Sequence, residues 1–154
     1  MLLTMTTTIY LVKDGDYTVS TDKSRLDISV IHHFLAQESY WAKDIPVSVV
    51  ERTLAGSLCF GLYYRDRQIG FARLITDLAS FAYLADVFVI PDYRGKGLSK
   101  MLMRAILDHP ELQTLRRWLL VTQDAHELYR QFGFTEVPNP EKFMQLHNPN
   151  IYTK

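Results

Sequence analysis

The run Phe81–Ile90 restricts the fold of this chain more than any other stretch: ten residues, all apolar except Asp86. It lacks the alternation of a half-exposed strand, so it reads as a strand buried on both faces near the sheet centre. Pro91 stops it. Arg94-Gly95-Lys96-Gly97 follows, and from Leu98 to Leu107 the residues Leu98, Met101, Leu102, Ala105 and Ile106 recur at the spacing of one helix face. Strand, glycine-bearing turn and amphipathic helix, in that order, fit a layered domain of helices on a sheet.

The rest of the chain supplies the other elements. Ile9–Val12 and Tyr17–Ser20 have short β-like patterns. Asp27 is placed to cap a helix in which Ile28, Ile31 and Leu35 share a face. Pro46 opens a second helix, whose apolar face is Val49, Val50, Thr53 and Leu54, and which ends at Gly56. Leu58–Tyr64 and Ile69–Ile75, joined by a polar turn, read as an antiparallel hairpin. Leu115–Val121 is a further strand. Asp124 and Glu127 have capping-box spacing before a helix carrying Ala125, Leu128, Tyr129 and Phe132, with Gly133 as its terminator. Phe134–Val137 and Lys142–His147 have the composition of two last strands. The connections are short, and the total is one α/β or α+β domain with a mixed sheet.

Charge removes some functions. The chain of 154 residues carries 17 Lys and Arg against 17 Asp and Glu, so broad electrostatic capture of nucleic acid is not expected. No stretch approaches the length of apolar residues that crosses a membrane. The lone Cys59 allows no internal disulfide and reads as a small buried hydrophobe. With no signal-like start, a cytoplasmic location is the expectation. His32, His33, His109, His126 and His147 show no ligand spacing, so no metal is expected; they read as surface or helix-cap residues.

Neutrality hides a local excess. Residues 91–104 hold Arg94, Lys96, Lys100 and Arg104 against Asp92 alone. A helix start exposes unpaired N–H groups, and glycines let an anion approach the backbone, so this turn reads as a phosphate seat. It lacks the G-x-x-x-x-G-K-[ST] of a P-loop and the third glycine of a dinucleotide fingerprint. A solvated connecting turn with basic residues is the alternative from this segment alone.

The segment resembles the GCN5-related N-acetyltransferase (GNAT) superfamily, whose R/Q-x-x-G-x-G/A loop holds the pyrophosphate of acetyl-CoA through backbone N–H groups. Arg94-Gly95-Lys96-Gly97-Leu98-Ser99 matches at Arg94 and Gly97, with Ser99 in place of the last glycine or alanine. The family's Ala-x-x-Leu-Tyr…Gly-Phe signature stands as Ala125, Leu128, Tyr129, Gly133 and Phe134, while Thr122 replaces a frequent asparagine. The element order over about residues 17–147 agrees as well. The resemblance implies a central mixed, mostly antiparallel twisted sheet flanked by helices. Its fourth and fifth strands, here 81–90 and 115–121, run parallel and splay apart, with pantetheine between them on the backbone of Phe88 and Val89.

The function so implied is N-acetyl transfer from acetyl-CoA to a primary amine of a small molecule, directly within a ternary complex. A protein amine as acceptor, or a non-catalytic acyl-CoA-binding regulator, are the alternatives. The implied cofactor contacts are Phe88, Val89, Arg94, Gly95, Lys96, Gly97, Leu98, Ser99, Thr122, Ala125 and Tyr129. Tyr129 takes the family's place for the acid that protonates the leaving thiolate. Asp86, a lone carboxylate in an apolar strand, needs a reason to be there. It orients the amine, accepts its proton directly or through water, or serves structure by bonding a backbone donor or Arg73. Glu38, Tyr40, Trp41, Arg73 and Tyr83 are the expected acceptor-side residues; the Gln37–Trp41 run suits either an amine or aromatic ligand or a loop anchored to the core. No nucleic-acid or membrane partner is expected, and a homodimer is compatible with the family.

Overall fold

The computed structural model describes residues 8–153. Strands β1 (Leu11–Asp14), β2 (Tyr17–Ser20), β3 (Leu58–Tyr64), β4 (Arg67–Thr76), β5 (Phe81–Val89) and β6 (Arg117–Leu119) form one sheet in chain order. Neighbours are antiparallel except β5 and β6, which run parallel. Helices α1 (Ile28–His33) and α2 (Val47–Ala55) cover one face and α3 (Leu98–Leu107) the other, while α4 (His126–Arg130) follows β6. This is the mixed, mostly antiparallel, helix-flanked sheet expected. The parallel pair is β5 and β6 because Leu11–Asp14 adds a strand in front.

Side-chain alternation sorts the core into two layers. Phe60, Leu62, Ala72, Leu74, Ala82 and Leu84 join Leu98, Leu102, Met103 and Ile106 of α3. Cys59, Phe71 and Phe88 join Ile31, Phe34, Leu35, Val50 and Leu54 on the α1–α2 side. Full burial of each large side chain contributes about 1.5–3 kcal/mol.

Strand β5 departs from expectation. It lies beside the edge strand rather than at the sheet centre, and its missing alternation comes from a bulge. Phe71 pairs with Phe88 and Arg73 with Ala85, so Ala72 faces two residues, Asp86 and Val87. Asp86 takes the left-handed conformation, with φ 55. Before the bulge Ala82 and Leu84 face α3; beyond it Val89 does, and Phe88 faces α1.

Helix α1 starts as expected, with the Asp27 carboxylate accepting the Val30 N–H at 3.2 Å. It then widens into a π-helical turn, Phe34–Glu38, closed by the Ser39 N–H donating to the Phe34 carbonyl at 2.9 Å. That turn buries Phe34, Leu35 and Ala36 in succession, and Ile28 stays partly exposed. Helix α2 begins after Pro46 and ends at Gly56.

Two expected strands are absent. Phe134–Val137 and Lys142–His147 are irregular, and β6 keeps only three residues of 115–121. Pro138 and Pro140 lack N–H donors and a turn separates the two segments, which pass beside the edge strand β6 without pairing to it, while the Met144 and Leu146 side chains project into solvent. His109 takes the second of the two roles expected for the histidines: it is buried, not at the surface, and caps the 3-10 turn Pro110–Leu112 that follows α3. Its Nδ1 accepts the Glu111 N–H at 3.1 Å, and its ring lies edge-on to Tyr10 (4.8 Å) and Phe60 (5.8 Å). Its Nε2 has no partner among the described residues, and burial lowers its pKa.

Candidate active site

Strands β5 and β6 pair over three positions, from Phe81 with Arg117 to Tyr83 with Leu119, and then part. From Leu84 onward the outer edge of β5 is open. The Ile90 N–H donates to the Ile69 carbonyl at 2.8 Å, so Val89, one residue earlier, turns its own N–H and C=O into the gap. Arg94 Nε donates to that Val89 carbonyl at 2.9 Å. The Phe88 backbone faces β4 instead, and its ring stacks on Phe34 at 4.1 Å. Of the two backbone positions expected at the gap, the geometry brings Val89 there and not Phe88.

The turn after β5 is a backbone-built anion seat. Gly95 (φ 79) and Gly97 (φ 76) are both left-handed, and a Cβ on either would meet nothing within 4 Å. Torsion, not space, requires glycine at these positions. Helix α3 follows Gly97 with no side-chain cap and no acid in its first turn, so the N–H groups of Leu98, Ser99 and Lys100 lack intrahelical partners. Leu98 itself is buried and anchors the helix. Lys96, Lys100 and Arg104 are exposed along a groove of about 910 Å³ that also takes in Tyr10, Tyr17 and Tyr64. Arg94 is partly withdrawn by its bond to Val89. These donors fit a pyrophosphate, and the gap beside Val89 fits the extended arm attached to it.

The other end of the gap is built from side chains. Arg73 Nε bonds Asp86 Oδ2 at 2.5 Å and Arg73 Nη1 donates to Ser57 Oγ at 3.1 Å. Trp41 Nε1 donates to Asp86 Oδ1 at 2.8 Å. The bulge makes this possible. Arg73 lies opposite Ala85, and the left-handed turn brings the next residue onto the same face instead of the opposite one. Tyr40 packs edge-on to Trp41 at 5.0 Å, and its hydroxyl accepts the Gln123 N–H at 2.8 Å, beyond the end of β6. Tyr83 closes the parallel ladder opposite Leu119. Glu38 does not join this group. It stands 3.9 Å from His33 in a separate groove of about 450 Å³ with Phe34, Arg67 and Asp92.

Helix α4 delivers Tyr129. The Gly133 N–H donates to the Arg130 carbonyl and the Phe134 N–H to the Tyr129 carbonyl, a paired termination that uses the left-handed Gly133 (φ 91). The Phe134 ring then packs edge-on to Tyr129 at 5.9 Å. Burial pushes the Tyr129 hydroxyl up to about 12, with Tyr40 and Asp124 adding to it, so it keeps its proton at neutral pH. The expected Asp124–Glu127 capping box does not form. Thr122 Oγ1 accepts the Ala125 N–H at 3.0 Å in its place, and Glu127 pairs with Arg130. Ala125 thus spends its backbone donor on Thr122.

Ser57, Phe34 and Gln123 take part and were not anticipated; a serine after Gly56 or a glutamine in a loop carries no local signal. Cys59 is buried, and burial pushes its thiol up to about 11, which suits packing and not nucleophilic attack. Among the described residues no group of three or more His, Cys, Asp or Glu is arranged to hold a metal ion, and no helix is long and apolar enough to cross a membrane.

Comparison with known proteins adds four findings. The acetyltransferase (GNAT) domain profile matches residues 55–136. A Gibberella zeae protein to which acetyltransferase activity is ascribed is 32% identical over 137 residues, covering 75% of this chain and 76% of its own length. A crystal structure from Xanthomonas campestris pv. campestris, ascribed to the GNAT family, is 51% identical with a TM-score of 0.87, covering 90% of this chain and 97% of that one. A GNAT acetyltransferase from Elizabethkingia anophelis, solved with acetyl-CoA bound, shares the fold at 14% identity and TM-score 0.60, over 79% of this chain and 78% of its own.

Proposed function

The chain belongs to the GNAT acetyltransferase family, and from that premise we propose that it moves the acetyl group of acetyl-CoA to a primary amine of a small molecule. The transfer is direct, within a ternary complex. One observation carries the reading: parallel strands that part after three pairs, with backbone donors at one end of the gap and a protonated tyrosine on the helix after β6. Acetyl-CoA supplies an activated thioester whose carbonyl is attacked and whose sulfur departs.

The ammonium first gives a proton to solvent, which frees its lone pair to attack the thioester carbonyl, and the chain's own groups answer the other needs of that step. The N–H groups of Leu98, Ser99 and Lys100, at the positive end of α3, take the pyrophosphate, with Lys96 and Lys100 adding charge. The Val89 N–H faces the pantetheine arm and holds it in the gap. Tyr129 holds the proton that the departing sulfur needs, since burial keeps its hydroxyl neutral. Tyr40, Trp41, Arg73, Tyr83 and Asp86 form the side from which the amine enters.

The test is release of free CoA from acetyl-CoA against a panel of primary amines, with Tyr129→Phe as control. Tyr129→Phe is expected to lower kcat by about 10²–10⁴, the usual worth of a general acid, with little change in acetyl-CoA affinity. Unchanged turnover, where chemistry limits the rate, removes Tyr129 from that role.

A further inference from the structure

We propose that Asp86 is a positioning residue: through Trp41 it fixes an aromatic wall on which the acceptor docks as an ammonium. The proposal rests on the acetyltransferase reading above. The Asp86 side chain is 8% exposed and both of its oxygens are engaged, one by Arg73 at 2.5 Å and one by the Trp41 indole N–H at 2.8 Å. Arg73 is 14% exposed and, among the described residues, has no other carboxylate within ion-pair distance. Asp86 is thus the one counter-charge that the described residues offer this guanidinium, and its second oxygen is taken by the indole. A carboxylate so committed is poorly placed to take a proton from an incoming amine.

Its bonds hold a loop instead. Trp41 is fixed to β5, and its neighbour Tyr40 is fixed to Gln123 beyond β6, so two consecutive residues bridge the parted strands. Phe34 backs Trp41 at 6.3 Å, while Tyr40 and Trp41 remain 49% and 42% exposed. The two rings, set edge-on to each other, therefore form a fixed aromatic corner at the mouth of the gap. The neighbouring carboxylate is already neutralised, so attraction of a cation falls to the aromatic faces.

Two readouts test this, one independent of any acceptor. In a Trp118→Phe background Trp41 is the sole tryptophan. There Asp86→Ala is expected to shift Trp41 emission to the red and to raise its quenching by iodide. With phenethylamine as probe, Trp41→Phe is expected to raise the amine KM about tenfold, the worth of a cation–π contact with a ring no longer held in place, with acetyl-CoA KM unchanged. Trp41 is half-exposed, so this variant decides the matter even where Asp86→Ala fails to fold. Asp86→Asn keeps an acceptor for the indole and is expected to act on KM while preserving the shape of the pH–rate profile. A fall in kcat of about a hundredfold with loss of the acidic limb in Asp86→Asn would identify a general base and overturn the proposal. Trp41 emission insensitive to Asp86→Ala overturns it as well. If the wild-type chain acetylates no amine while Trp41 still responds to Asp86, the acetyltransferase reading fails and the tether stands.

Discussion

The two ends of the β5–β6 gap solve the problem of holding a ligand in opposite ways. At the α3 end, main-chain groups do the work. Two left-handed glycines and the first turn of a helix present N–H donors, and the charged side chains Lys96 and Lys100 beside them are exposed. At the loop end the main chain supplies little, and Trp41, Asp86, Arg73 and Ser57 hold one another through bonds that each depend on the next. A ligand common to a whole family can be met by backbone, which is the same whatever residue carries it. A ligand that varies must be met by side chains. The comparison teaches that the chain's generality sits in its torsions and its specificity in a four-residue relay.

That division can be broken by experiment. The largest effect is expected for Asp86→Ala, which strands Arg73 and should cost about 3–5 kcal/mol of folding stability by urea denaturation. If the two ends are independent, acetyl-CoA affinity of the folded protein stays the same; a parallel loss of affinity would merge them. Gly97→Val comes next. A β-branched residue at φ 76 carries about 1–2 kcal/mol of strain, so acetyl-CoA should bind about tenfold more weakly by calorimetric titration, with the amine KM unmoved. Unaltered binding would mean that the turn does not hold the pyrophosphate.

The smallest effect belongs to His109, which lies past the far end of α3 from the glycine turn and bonds none of the side chains of the loop end. Its folded pKa is lowered by burial, so the unfolded chain takes up the proton first as pH falls. The stability linked to this residue is complete above about pH 6.5, its unfolded value, and declines below that as pH approaches the folded pKa. Urea midpoints at pH 7.5 and 5.5 should differ more in the wild type than in His109→Gln. Equal losses in both proteins would assign the decline to other groups.

The backbone end was legible in the sequence because its requirements are local. Glycines two residues apart, a proline stop and a helix face all fall within Pro91–Leu107. The side-chain end joins residues 13, 45 and 83 positions apart, and no period connects them. Chemistry still gave a partial view: a carboxylate in an apolar strand needs a partner, and Arg73 was among the partners it allowed. The fold followed the same rule. Helix caps at Asp27 and Pro46 and the β3–β4 hairpin are local and match, whereas Phe134–Val137 and Lys142–His147 have strand composition but, with Pro138 and Pro140 between them, pass the edge of β6 without pairing to it. The lost alternation in Phe81–Ile90 suggested burial on both faces because an inserted bulge residue and a doubly covered strand leave the same sparse pattern.

The left-handed torsion at Asp86 has a consequence for relatives of this chain. That conformation favours glycine, asparagine and aspartate before any chemistry is considered. A survey of sequences would therefore find small polar residues at this position even if the carboxylate had no part in turnover. Substitution by glycine keeps the torsion while removing the acid, and substitution by asparagine keeps the torsion and an acceptor while removing the charge. The position answers two selective pressures with one letter, and only variants that separate them can reveal which pressure set the choice.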